Sequence, residues 1–289
     1  MFPRVPDQHK AGKPLVPNGI GVIYVLFATV YLFSVYFLGL IESPNPLVSA
    51  PLTLAACILF GGFMGLLDDW MDLKWRYKAF MPLIAALPLM YFAIENPSTR
   101  TSLSLPFIGV IQFNEAYFFV IIPLIVMIVT NTVNQLGGLN GLETVCPAIV
   151  LVGLMVSSMS YTIMMLGPLI LWLVLAALNF QGKIFVGNAG TFAIGMTIAS
   201  YAVIADLKLS LLVSILPYVV NSSLILLTIF FVRKKASVSF DGNKLVSDHR
   251  RSLVTLITYR RTLTEQQVVA VISLLVAFFT VLSVLIEVF

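Results

Sequence analysis

Leu47-Val-Ser-Ala-Pro-Leu-Thr-Leu-Ala-Ala-Cys-Ile-Leu-Phe-Gly-Gly-Phe-Met-Gly-Leu-Leu runs for 21 residues without a charge and then meets Asp68-Asp69. A hydrocarbon core of about 30 Å takes roughly 20 apolar residues of helix. The apolar residues here are continuous rather than alternating, and only helices or closed barrels satisfy their backbone in lipid. The stretch therefore reads as a membrane-spanning helix that leaves the lipid at a pair of carboxylates. Eight more runs of this kind lie at about 19–41, 79–94, 116–134, 143–159, 161–181, 185–205, 209–232 and 267–289, that at 79–94 short and that at 143–159 loosely bounded. The expected fold is an all-α polytopic membrane protein with about nine transmembrane helices, a single integral membrane domain over 1–289. Within it, 233–266 reads as a long loop and 95–115 as a connection carrying a small hairpin around Leu105–Phe113. The first 17 residues are polar and rich in proline, so no cleavable signal peptide is expected.

Composition agrees. Of 289 residues, 59% are hydrophobic and only 10% charged, and the mean hydropathy is +1.00. A soluble domain carries about 25% charge, so a soluble enzyme or secreted domain is excluded, and the apolar content excludes disorder. Cys57 and Cys146 each sit in or beside an apolar run and read as buried thiols. Two histidines, His9 and His249, are too few for a histidine-rich metal centre. The net charge of +4 has an explanation in topology. With the N-terminus inside, 15 of the 17 Lys and Arg fall on the inner side and only Arg100 and Lys208 outside. Nucleic acid is therefore not an expected partner. The bilayer is.

The polar side chains gather on that same inner face, in four clusters. The first is Asp68-Asp69-Trp-Met-Asp72-Leu-Lys-Trp-Arg-Tyr-Lys78. It reads either as a solvated helix end or as hard oxygen ligands of the kind that suit Mg²⁺ together with substrate phosphates. The second, Asn131-Thr-Val-Asn134-Gln-Leu-Gly-Gly-Leu-Asn140-Gly-Leu-Glu143, mixes carboxamides with glycines that let backbone approach a ligand. A helix C-cap explains one Asn and one Gly of it, but hardly three Asn. The third, Gly182-Lys-Ile-Phe185-Val-Gly187-Asn188-Ala-Gly190-Thr191, opens a span with small residues. It reads as an anion site at a helix start with Phe185 stacking on a base, or as a packing seam between membrane helices. The fourth, Asp248-His249-Arg250-Arg251, offers cations for a diphosphate, whereas Arg233, Lys234 and Lys235 fit positive-inside charge or anionic lipid. Oxygen ligands, a stacking aromatic and cations on one membrane face suit transfer of a phosphorylated group from a nucleotide to a lipid. A transporter fits less well, because its site usually lies near the midplane.

At this point the chain resembles the polyprenyl-phosphate N-acetylhexosamine-1-phosphate transferases, most closely their eukaryotic and archaeal branch, which uses UDP-GlcNAc and dolichyl phosphate. The resemblance runs from about residue 9 to the end. It rests on Lys10-Ala-Gly-Lys-Pro-Leu-Val-Pro-Asn-Gly, Asp68-Asp69 through Lys78, Asn131 through Glu143, Phe185-Val-Gly-Asn188, and His249-Arg250, in that order. It implies a cytoplasmic-face cleft in an archaeal cell membrane or the endoplasmic reticulum membrane, with dolichyl-diphosphate-GlcNAc and UMP as products. It implies Mg²⁺, with Mn²⁺ as the alternative cation, on Asn134 and Asn188. It makes Asp68 and Asp69 essential carboxylates that orient or deprotonate the lipid phosphate. Asn140 and Phe185 would hold the uracil, and Lys78 and Arg250 would contact phosphates. Asn131, His249 and Arg251 complete the substrate-binding set, and dimers occur in the family. Undecaprenyl phosphate or another UDP-N-acetylhexosamine, such as UDP-GalNAc, stays open as a substrate.

The sequence departs from the family in two ways. The family commonly has Asp where this chain has Asn188, whose amide oxygen ligates Mg²⁺ without bringing charge. That feature favours a second reading, a lipid-linked sugar binder or transporter without turnover. The family also has ten spans, and the one lacking here would precede Phe2.

Overall fold

The computed structural model describes residues 2–10, 12–41, 48–105, 109–232, 237–242 and 244–288. The chain opens with a short antiparallel hairpin, β1 (Arg4–Pro6) and β2 (Leu15–Pro17), with Val5 opposite Val16. The helices α1 (Gly21–Phe37), α2 (Ala50–Met71), α3 (Trp75–Ala85) and α4 (Leu87–Glu95) follow. A second hairpin pairs β3 (Ser102–Leu105) with β4 (Gly109–Gln112). Next come α5 (Ile122–Gln135), α6 (Leu142–Ser157), α7 (Thr162–Phe180), α8 (Gly187–Ile204), α9 (Lys208–Ser214) and α10 (Leu216–Leu227). A third hairpin, β5 (Ser239–Asp241) with β6 (Lys244–Val246), and a single turn α11 (Leu253–Ile257) precede the closing helix α12 (Glu265–Val288).

The apolar runs become helices, but not all as long rods. Five helices among the described residues are long and apolar enough to cross a membrane: Ala50–Met71, Trp75–Glu95, Tyr117–Gln135, Thr162–Phe180 and Glu265–Glu287. The bent pair α9 and α10 makes a sixth if counted as one span. The remaining expected spans are shorter helices, α1 with 17 residues and α6 with 16, or the interior helix α8, buried along almost all of its 18 residues. Proline explains the interruptions. Pro88 and Pro217 stand near the starts of α4 and α10, where a missing N–H costs least. The chain breaks just before each, at Ala86 and at Ile215, where the axis turns by 54°. Pro123 likewise follows a π-helical turn over Tyr117–Ile121. The first strand of the second hairpin begins at Ser102, earlier than the sequence suggested.

The core is centred on α8. Its Ala and Gly positions let α2, α5 and α1 approach closely. Gly61 and Gly65 of α2 lie one turn apart on the α8 side. A Cβ on Gly61 would stand 2.9 Å from Phe192 O, and one on Gly65 would collide with Asn188 O and Ala189 Cα. This small-xxx-small seam sets α2 backbone to backbone against α8, and the packing-seam reading of the third cluster holds for Gly190, which abuts Gly21. Two buried polar pairs tie helices together: Tyr24 and Thr197 hydroxyls meet at 2.9 Å, and Trp172 Nε1 donates to Thr144 O at 2.9 Å. The outward faces of α1, α2, α7 and α12 expose Leu26, Phe63, Ile170 and Leu274, which suits lipid rather than water. Cys57 and Cys146 are buried free thiols.

Candidate functional site

Four segments far apart in sequence enclose a cavity of about 280 Å³ at the ends of α2, α5, α6 and α8. From α2 comes Asp69, from the last turn of α5 Asn134, from the loop after it Gly137 and Gly138, and from the first turn of α6 Glu143. The α7–α8 connection and the start of α8 give Phe185, Gly187, Asn188 and Thr191, and Val5 and Asn18 of the N-terminal hairpin complete the wall. The hairpin is tied in by backbone: Phe185 N donates to Pro17 O at 2.8 Å, and Ile20 N to Phe185 O at 3.2 Å.

Asp69 spans the gap between α2 and α8. Its Oδ1 accepts from Asn188 N at 3.0 Å and its Oδ2 from Ala189 N at 3.0 Å. The sequence suggested that the start of α8 was an open anion site; instead the protein's own carboxylate fills it, in the favourable field of a helix N-terminus. Gly187 makes this possible. It adopts φ +69°, and a Cβ there would stand 2.8 Å from Asp69 Oδ2 and 2.9 Å from Gly19 Cα. Asn134 Oδ1 accepts from the Thr191 hydroxyl at 2.6 Å, linking α5 to α8.

Of the residues singled out in the sequence, Asp69, Asn134, Asn188 and Phe185 share this cavity. The others lie around it. Asp68 is buried, with Lys78 Nζ at 2.7 Å and Leu73 N donating at 3.1 Å, and its Oδ2 has no protein partner. Asn131 Nδ2 donates to Ala79 O at 3.1 Å and to Met127 O at 2.8 Å, which fixes α3 to α5. Asn140 Nδ2 donates to Asp7 Oδ2 at 2.8 Å and Glu265 Oε1 at 3.0 Å, so it joins the N-terminal hairpin to the start of α12.

His249, Arg250 and Arg251 do not line the cavity. The Arg250 guanidinium stacks 4.1 Å over the Tyr259 ring, His249 and Ser247 exchange hydrogen bonds, and Arg251 N donates to Thr255 Oγ1 at 2.8 Å. A second cavity of about 280 Å³, walled by Gly137, Gly138, Asn221 and Val254 among others, lies against the other side of the Gly137-Gly138 turn. Arg233, Lys234 and Lys235 lie outside the described residues.

Two residues escaped the sequence reading as site components. Glu143 appeared only as the end of the second cluster, yet it lines the cavity. Asn179, near the end of α7, is fully buried and uses every hydrogen-bonding position it has. Its Oδ1 accepts from Gly141 N at 2.8 Å and Thr144 Oγ1 at 3.0 Å. Its Nδ2 donates to Glu143 Oε1 at 3.1 Å and Ile184 O at 2.9 Å. The signal was there: one carboxamide at the end of an apolar run needs buried partners.

The donor set fits a hard divalent cation. Two carboxylates and three carboxamides, Asn18, Asn134 and Asn188, surround one cavity. Among the described residues no group of three or more His, Cys, Asp or Glu is arranged to hold a metal. A cation here would therefore draw on amide oxygens and on substrate phosphates as well, as Mg²⁺ does.

A protein of Saccharolobus solfataricus that carries the provisional name UDP-N-acetylglucosamine–dolichyl-phosphate N-acetylglucosaminephosphotransferase is 28% identical over 291 residues, covering 97% of this chain and 87% of the relative. The Schizosaccharomyces pombe enzyme of that name is 22% identical over 267 residues, 75% of this chain and 59% of its own. The phospho-N-acetylmuramoyl-pentapeptide-transferase of Clostridium novyi is 27% identical over 227 residues, 73% of this chain and 66% of its own. The sequence model of glycosyl transferase family 4 matches residues 51–206, from α2 through α8, the stretch that supplies Asp69, Asn134, Glu143, Phe185 and Asn188, and the chain belongs to that family.

Proposed function

We propose that the protein transfers GlcNAc-1-phosphate from UDP-GlcNAc to dolichyl or a related polyprenyl phosphate, the first step of lipid-linked oligosaccharide assembly for N-glycosylation. A phosphate oxygen of the lipid attacks the β-phosphorus of the donor. The bond from that phosphorus to the bridging oxygen breaks, UMP leaves, and dolichyl-diphosphate-GlcNAc forms. The observation that carries this reading is the convergence of Asp69, Asn134, Asn188 and Phe185 on one cavity at the helix ends. The names of the archaeal and yeast relatives support the substrates.

Phe185 offers its ring to the uracil, and Asn140, whose buried Oδ1 lacks a protein partner, offers an acceptor beside it. Asn134 and Asn188 present amide oxygens to Mg²⁺ or Mn²⁺, which when bound screens donor from acceptor and stabilises the departing UMP. Asp69 orients the acceptor phosphate while bracing α8. Asp68 holds Lys78 beside the phosphates. Arg250, Arg251 and His249 reach the diphosphate only if the 244–260 segment swings toward Gly138, and substrate binding would drive that motion. The chain crosses the membrane nine times with the cavity on the cytoplasmic side, as the distribution of Lys and Arg supports.

Membranes bearing the protein are given labelled UDP-GlcNAc and dolichyl phosphate. The expected result is an organic-extractable labelled product whose mass is that of dolichyl-diphosphate-GlcNAc, lost with EDTA and restored by Mg²⁺. No lipid product, under conditions where the Schizosaccharomyces enzyme makes it, would sink the proposal. Asn188 favours one rival, a binder without turnover; activity that rises from near zero in Asn188→Asp would establish that rival.

A further inference from the structure

We propose that Glu143, held in place by Asn179, supplies the negative charge that Asn188 does not, so that Asp69 and Glu143 are the two carboxylates of the cation site. This rests on the reading above that the cavity takes a divalent cation. The first observation is charge. Among the described residues the cavity wall carries two carboxylates and no Lys, Arg or His, and the nearby Lys78 is taken by Asp68. Two carboxylates facing one cavity repel each other and resist desolvation, and a cation between them relieves both costs.

The second observation is division of labour. Asp69 gives both oxygens to backbone N–H groups of α8. Glu143 is anchored through Oε1 by a side chain, the buried Asn179. Glu143 lines the cavity, and its Oε2 lies beside Gly137, 3.5 Å from where a Cβ there would stand. Asn179 is then a positioning residue: it fixes Glu143 and, through Ile184 O, the segment that bears Phe185.

The test moves the charge. Mn²⁺ binding to the full-length protein in detergent is measured by electron paramagnetic resonance, with and without UDP-GlcNAc and without acceptor lipid, so no turnover is needed. Glu143→Gln is expected to weaken Mn²⁺ binding roughly 10–100-fold, the range that loss of a metal-supporting group commonly brings. Asn188→Asp is expected to tighten it. The double variant, which relocates the carboxylate from 143 to 188, is expected to recover most of the wild-type affinity. Gel filtration and thermal melting identify any variant that fails to fold, and the double variant keeps the test decisive if Glu143→Gln does. Wild-type affinity in folded Glu143→Gln, or a double variant that binds no better than Glu143→Gln, overturns the proposal. If the wild-type protein itself binds no Mn²⁺ with or without nucleotide, the cation reading of the cavity falls, and this inference with it.

Discussion

At the scale of single residues, Asp69 in the cavity wall and Asn179 behind it predict different phenotypes. Asp69→Asn keeps an acceptor for one α8 N–H but removes the charge. Transfer activity is expected to fall about 100-fold or more, while the protein still folds with a melting temperature lowered by the one α8 N–H that loses its acceptor; full retained activity would remove this carboxylate from the mechanism. Asn179→Leu removes the partner of Gly141 N, Ile184 O and Glu143 Oε1 at once and leaves the Thr144 hydroxyl only Gly141 O. Each buried polar group left unpaired costs about 1–3 kcal/mol, so a large drop in denaturation midpoint is expected; an unchanged midpoint would mean that water replaces the amide. The contrast also marks how much of the site was legible. Asp69, Asn134, Asn188 and Phe185 stand out because charge, carboxamides and glycines are conspicuous in so apolar a chain. Asn179 was hidden inside a hydrophobic run, and Glu143 passed as an ordinary first-turn acid. The partners of Asn140 were unreadable, because Asp7 and Glu265 lie 133 and 125 residues away.

At the scale of elements, the α2–α8 seam decides whether Asp69 reaches its place. Gly65→Val would press against Asn188 O and Ala189 Cα, push the start of α8 away, and cost about 1–3 kcal/mol by overpacking. Activity should be lost along with stability. Phe63→Val, on the lipid-facing side of the same helix, is expected to leave both within experimental error; comparing melting temperature and transfer rate of the two variants checks this. The positions of the helices were legible from continuous apolar runs, since hydrophobicity and length dominate in lipid. Their breaks were not. Which prolines mark a sharp bend, as at Ile215, and which merely begin a helix, depends on packing partners that hydropathy does not encode.

For the whole molecule, the arrangement of cations predicts a sidedness that can be measured. Lys183 and Arg100 are both exposed and lie on opposite sides of the membrane in the proposed topology. Lys183→Cys should react with an impermeant maleimide only once the cytoplasmic face is opened, and Arg100→Cys should react in intact cells. The native thiols are buried and should stay silent. Labelling of both positions from one side would overturn the orientation.

The hairpin of residues 4–17 carries one more consequence, for biosynthesis. Asp7 meets Glu265 through Asn140, so the hairpin must await a segment translated much later. A nascent chain arrested before α12 should thread into the bilayer with its roof unlatched, because closure over so long a separation comes late. Assembly of a working pocket is thereby timed to the synthesis of α12, and protease sensitivity of the hairpin in stalled chains would report the moment at which it shuts.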